Sequence, residues 1–158
     1  MRRQRPAQSR QEHPDPASLR GIRCHAYSCR AIAVSRTGAL LMSEMDKDVS
    51  QALLERVDQA LRESTPLRIQ GGNSKALLGR ETTGEVLDTR EHRGIVSYDP
   101  TELVITVRAG TPLSELMQVL DAAGQMLPCE PPDFGCATLG GMVAAGLSGP
   151  RRPWRGSV

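Results

Sequence analysis

Residues 71–75 read Gly-Gly-Asn-Ser-Lys and follow the strand-like run Leu67-Arg68-Ile69-Gln70, so an extended segment empties into two glycines, two short polar side chains and a cation. The chemistry open to such a run is the holding of an anion. Gly71 and Gly72 lack a Cβ, which allows the backbone to take positive φ and turn successive N–H groups toward one ligand oxygen. Asn73 and Ser74 add short donors, and Lys75 adds a flexible point charge. Taken alone, two glycines after a strand are more often a plain turn than a phosphate loop.

A second stretch changes that weight. Residues 128–149 begin as a proline-stiffened arm, Pro128-Cys129-Glu130-Pro131-Pro132-Asp133-Phe134-Gly135-Cys136, and continue as the small-residue segment Ala137-Thr138-Leu139-Gly140-Gly141-Met142. Thr138 is placed to cap a short helix starting at Leu139 or Gly140, whose free N–H groups and positive dipole end would face whatever the first loop holds. Two anion-binding loops that converge suggest a diphosphate. The usual nucleotide motifs are absent: there is no G-x-G-x-x-G, and Gly71 to Lys75 lacks both the spacer and the Lys-Ser/Thr pair of a P-loop.

The elements that must position these loops are legible from periodicity. Asp48 with Gln51 three residues on reads as a capping box ahead of a helix whose apolar face is Val49, Leu53, Val57, Ala60 and Leu61. Ser64-Thr65-Pro66 ends it, because the residue before proline is pushed out of the α region. Glu85-Val86-Leu87-Asp88 is a brief strand, with Asp88 a surface or turn carboxylate. Gly94–Tyr98 and Leu103–Val107 form a hairpin about the turn Asp99-Pro100-Thr101-Glu102. Thr111 at an N-cap and Pro112 in the first turn open a second helix, with Leu113, Leu116, Met117, Leu120 and Ala123 as core and Gly124 as its end.

Charge divides the chain. Residues 1–41 carry eight arginines against Glu12 and Asp15, a net +6, so 42–158 carries −4 of the total of +2. The basic part has no sustained periodicity and little to bury, and is expected to be disordered. Pro6, Pro14 and Pro16 spoil an amphipathic transit helix, and Ala31-Ile32-Ala33-Val34 is too short for a signal-peptide core. The expected division is a basic leader over 1–44, with the true start at Met42 or Met45, and a folded part over 45–158.

Several function classes drop out. Cys24, Cys29, Cys129 and Cys136 do not have metal-site spacing, the three histidines are scattered, and reduced thiols are the default expectation. Nucleic acid is not an expected partner, since the basic tail lacks interleaved aromatics. No run approaches the roughly 20 apolar residues of a membrane span. No catalytic constellation is present: Asp99 and Glu102 read as turn residues, and His92 between Glu91 and Arg93 reads as a solvated charge cluster. Pro150-Arg151-Arg152-Pro153-Trp154-Arg155 is either a solvated loop around a packed Trp or a docking patch, with the first favoured.

The paired loops resemble the FAD-binding domain of the vanillyl-alcohol oxidase and p-cresol methylhydroxylase (PCMH) type. Within it, Gln70–Lys75 with Leu78-Gly79-Arg80, Gly94-Ile95-Val96, Tyr98–Leu103, Leu127–Pro132 and Gly149–Trp154 resemble the FAD-binding E subunits of bacterial glycolate oxidases, from about residue 45 to 158. The resemblance implies an α+β fold, a small mixed sheet flanked by helices, forming the first of two subdomains around the flavin nucleotide, the second lying beyond Val158. It implies noncovalent FAD, since the first loop offers no histidine for a tether. The implied cofactor-binding residues are Gln70, Gly71, Gly72, Asn73, Ser74, Lys75, Pro131, Thr138, Leu139, Gly140, Gly141, Gly146, Gly156 and Ser157. For the complete subunit it implies oxidation of a 2-hydroxy acid such as glycolate to glyoxylate. The implied partners are a second flavoprotein subunit and an iron–sulfur subunit, in the cytoplasm or at the inner face of the plasma membrane. An assembly role or a nonfunctional fragment are the alternatives for a chain of this length.

Overall fold

A computed structural model describes residues 46–158, so the basic leader expected over 1–44 lies outside the described residues. Helix α1 (Ser50–Glu63) leads into strand β1 (Leu67–Gln70), and β2 (Glu85–Asp88) pairs with β1 in parallel, Leu67 opposite Glu85 and Gln70 opposite Asp88. Strands β3 (Ile95–Asp99) and β4 (Val104–Val107) form the antiparallel hairpin, with an irregularity between Ile95 and Ser97. Helices α2 (Leu113–Ala122), α3 (Leu139–Ala145) and α4 (Arg152–Arg155) follow. The chain therefore has the expected α+β class, with the strands among the described residues in one parallel and one antiparallel pair.

The start of α1 corrects the capping-box expectation. Val49 occupies the N-cap, Asp48 Oδ1 accepts from the Ser50 N–H at 2.9 Å, and Gln51 turns along the helix to Glu55 instead of back to the cap. The helix ends at Ser64 in the left-handed region (φ 53°), where the chain breaks off toward Pro66. Of its expected apolar face, Ala60 is buried, whereas Leu61 is exposed.

The core sits on α2. Leu113, Leu116 and Leu120 recur every three or four residues and are buried with Ala137 and Met142, against Tyr98, Ile105 and Val107 of the hairpin. Met117 corrects the sequence reading: it faces away from that stripe and is exposed. Pro112, not Thr111, stands at the helix N-cap. Thr111 is buried instead as a staple, its Oγ1 accepting from the Gly94 N–H at 2.9 Å and donating to the Gly94 carbonyl at 3.2 Å. At the far end Tyr98 donates to Gln125, whose amide donates to the Pro100 carbonyl, both at 2.7 Å. The turn residues behave as expected, with Asp99 Oδ1 accepting from the N–H groups of Thr101 and Glu102.

A charge network ties the segment before α1 to this hairpin. Arg108 spans Asp46 and Asp48, Lys47 pairs with Glu91, and the Lys47 N–H donates to the Arg93 carbonyl. His92, expected as part of a solvated cluster, is largely buried here, with Nδ1 accepting from the Val49 N–H at 3.4 Å and lying 3.6 Å from Asp48. Two hydrogen bonds from Ser50, with Arg108 adding to them, hold the Asp48 carboxyl down at about 2. Burial pushes Glu115 up against the opposing pull of Arg93.

Candidate functional site

The first loop leaves the C-terminal end of β1, the end of a parallel pair where α/β architectures collect ligands. Thr89, just past β2, clamps the carbonyl that precedes the loop: its N–H and Oγ1 both donate to Gln70 O, at 2.9 and 3.3 Å. Alongside, the Arg90 guanidinium holds the Asp88 carboxyl below its ordinary range. The expectation that Gly71 and Gly72 take positive φ fails. Asn73 is the loop residue in the left-handed region, at φ 55°, a conformation that Asn tolerates better than most side chains.

The loop's donors are unspent. Among the described residues, the backbone N–H groups of Gly71, Gly72, Asn73, Ser74 and Lys75 donate to no protein acceptor. Ser74 is buried, and its Oγ accepts from Lys75 Nζ at 3.5 Å. Lys75 has no carboxylate partner among the described residues, and its ammonium lies 5.8 Å from the centre of the Phe134 ring. Among the described residues, five free amides and one cation without a carboxylate partner are thus clustered in five consecutive residues, a donor set suited to a multiply charged oxyanion.

The second stretch does cap as expected, with Thr138 Oγ1 accepting from the Gly141 N–H at 3.3 Å and α3 starting at Leu139. Its helix end is not free, however. The Leu139 N–H donates to Thr111 O at 2.9 Å, Gly140 N–H to Ala109 O at 2.8 Å, and Met142 N–H to Thr138 O at 2.9 Å. The donors that were expected to face a ligand are consumed, those of Leu139 and Gly140 in fastening α3 to the segment between β4 and α2, and those of Gly141 and Met142 on Thr138 at the helix's own N-cap.

Contact between the two stretches explains the glycines better than backbone freedom does. A Cβ on Gly72 would stand 1.5 Å from the Cys136 carbonyl oxygen, and one on Gly71 would stand 2.5 Å from Thr138 Oγ1. A Cβ on Gly140 would press on Ala109 at 2.9 Å, whereas Gly141 meets only the Thr138 hydroxyl at 3.1 Å. The structure thus brings Gly71, Gly72 and Lys75 together with Thr138 and the arm at Phe134 and Cys136. Leu139 and Gly140 lie behind that contact as scaffold.

The remaining candidates do not join the loop directly. Pro131 is half-buried in the arm, Gly146 closes α3 at φ 61°, and Gly156 closes α4 at φ 87° with Ser157 exposed beyond it. No hydrogen bond links Gly146, Gly156 or Ser157 to residues 71–75 among the described residues. Reduced thiols hold at Cys129, which is free, and not at Cys136, which is disulfide-bonded. Trp154, favoured as a packed residue, is 82% exposed. The Cys136 carbonyl, the Phe134 ring and the Thr89 clamp were missed in the sequence. Only the Asp133-Phe134-Gly135 turn signal pointed toward any of them, and Asp133 Oδ1 does accept from the Gly135 N–H at 2.9 Å.

Known proteins give the geometry its context. The model of a family described as FAD binding domain matches residues 49–158. Glycolate oxidase subunit GlcE of Escherichia coli (strain K12) is 69% identical over 112 residues, which are 70% of this chain and 32% of that protein. The chain therefore spans 32% of the length of the curated relative it matches. No solved structure matches significantly. The donor set fits the cofactor of that family: a dinucleotide diphosphate needs several hydrogen-bond donors and positive charge at one place, which is what residues 71–75 leave unused.

Proposed function

This chain belongs to the FAD binding domain family, and from that premise we propose that residues 71–75 hold the diphosphate of a noncovalently bound FAD, with the Thr138 and Cys136 stretch as the wall against which that loop is set. The observation that carries this reading is the row of five amides beside Lys75 that, among the described residues, meet no acceptor, with no carboxylate partner for Lys75 among them either. Gln70 fixes the loop's entry, Asn73 gives it its left-handed turn, and Ser74 lies under the Lys75 ammonium. Pro131, Leu139, Gly140, Gly141, Gly146, Gly156 and Ser157 complete the proposed site as framework and outer contacts. No histidine lies in the loop to tether the flavin.

Likeness to the GlcE subunit supports a place in a glycolate oxidase, with a 2-hydroxy acid oxidised to the 2-oxo acid. FAD supplies the two-electron acceptor, and the residues of this chain contribute binding and orientation. On this reading the protein acts in the cytoplasm with further subunits, a second flavoprotein and an iron–sulfur protein, at the inner face of the plasma membrane. Among the described residues no helix is long and apolar enough to cross a membrane.

Titration with FAD, followed by flavin fluorescence, tests the assignment. Lys75→Ala is expected to weaken binding and flatten its salt dependence, and acid precipitation is expected to leave the protein colourless. Equal affinity of the two proteins at every salt concentration would remove the loop from the site. A second reading, an assembly role, is favoured by Trp154, 82% exposed on α4 with arginines on either side. If that reading is right, Trp154→Ala abolishes association with the partner subunits and leaves the FAD titration unchanged.

A further inference from the structure

We propose that Phe134 is a positioning residue for the anion loop, holding the Lys75 ammonium over its ring so that the cation stays beside the free amides instead of extending into water. The inference rests on the reading of residues 71–75 as the diphosphate loop, and it adds a residue from the proline arm. Lysine carries four side-chain torsions and about 2 kcal/mol of rotamer entropy, so an unpaired ammonium at a loop edge would otherwise sample widely. Two contacts restrain it. Nζ donates to Ser74 Oγ at 3.5 Å, a long bond, and lies 5.8 Å from the Phe134 ring centre, within cation–π range.

The ring is itself set by its neighbours. Asp133 Oδ1 accepts from the Gly135 N–H at 2.9 Å, Gly135 takes φ 83°, and Cys136 then places its carbonyl where a Cβ of Gly72 would be. One short turn thus fixes both the ring over Lys75 and the wall under Gly72. Phe134 is 55% exposed and stands apart from the core on α2, so packing does not account for an aromatic at this place. A carboxylate partner would hold the lysine equally well but would cancel its charge. A ring restrains the cation and leaves it available to an anion.

The test uses the full chain, Phe134→Leu, Phe134→Tyr, Lys75→Met and the Leu/Met double variant, with two readouts. Without ligand, proton NMR of the Lys75 ε-methylene reports the ring: the wild-type signal lies upfield, moves downfield in Phe134→Leu and stays in Phe134→Tyr. With FAD, NMR titration gives dissociation constants for all variants. Phe134→Leu is expected to weaken binding about two- to fivefold, the range of an exposed cation–π contact, with Tyr restoring it and no further loss in the Lys75→Met background. An equal loss from Phe134→Leu with and without Lys75, or an unshifted wild-type methylene, overturns the proposal while the loop reading stands. Unchanged affinity in Lys75→Met overturns the loop reading and this proposal with it.

Discussion

Residues 71–75 and the N-terminus of α3 are both glycine-paired, small-residue segments next to a polar cap, yet they spend their backbone donors in opposite ways. Every backbone donor in the first is unbonded among the described residues, while the amides of Leu139, Gly140, Gly141 and Met142 all donate to protein oxygens. Composition alone does not tell a loop with free amides from a fastening. What separates them is whether another piece of chain offers acceptors at the right place, and Ala109 and Thr111 do so for α3 alone.

The largest effect expected to break this comparison comes from Gly72→Ala. Its single added carbon stands 1.5 Å from backbone, which cannot rotate away, so the loop must leave its wall. FAD binding should be lost and the thermal midpoint should fall. Gly141→Ala meets only the end of the Thr138 side chain, so its effect on the same two measurements should be far smaller. Equal losses in the two would show that α3 also faces the ligand.

Lys75→Ala comes next. Removing one flexible charge contact should cost about 1–2 kcal/mol of affinity, or roughly tenfold, with little change in stability by chemical denaturation. Thr138→Ala should do the reverse. Loss of a capping oxygen costs about 1 kcal/mol of stability, read as a shifted urea midpoint. If Thr138→Ala instead changed FAD affinity more than stability, the division between ligand loop and scaffold would be wrong.

The smallest effect is one of pH and sharpens the comparison by lying outside both segments. The folded carboxyl of Asp48 is held at about 2 against its ordinary 3.8. A depressed carboxylate contributes stability that is present above the ordinary value and lost as pH falls through the folded one. Detachment of the segment before α1 is therefore expected between these values, followed by NMR of the Val49 and Ser50 amides. Asp48→Asn should move the transition toward the contribution of Asp46, which Arg108 also holds low.

How legible all this was depended on how local the cause was. The Thr138 cap, the Asp99 turn and the Leu113, Leu116, Leu120 stripe follow from a few residues in sequence, and they stand as read. The hairpin was local too. Met117 and Leu61 were misplaced because helical period fixes the spacing of a face and not its width, which depends on what packs against it. Thr111 looked like a cap because the signal for a cap and for a buried staple is the same hydroxyl; the choice between them was made by Gly94, seventeen residues away.

The sequence by itself determined the elements up to α3, though not the short helix α4, together with the α+β class and the spelling that places the chain among FAD-binding domains, because each rests on short-range periodicity or on motif residues. Tertiary structure decided what Gly72 and Gly140 are for. Gly72 is small because the Cys136 carbonyl lies against it, and Gly140 because Ala109 does, contacts made across 64 and 31 residues of chain. It also decided which amides remain for a ligand. A free N–H is defined by the lack of an acceptor, and acceptors arrive only when distant segments have been brought together.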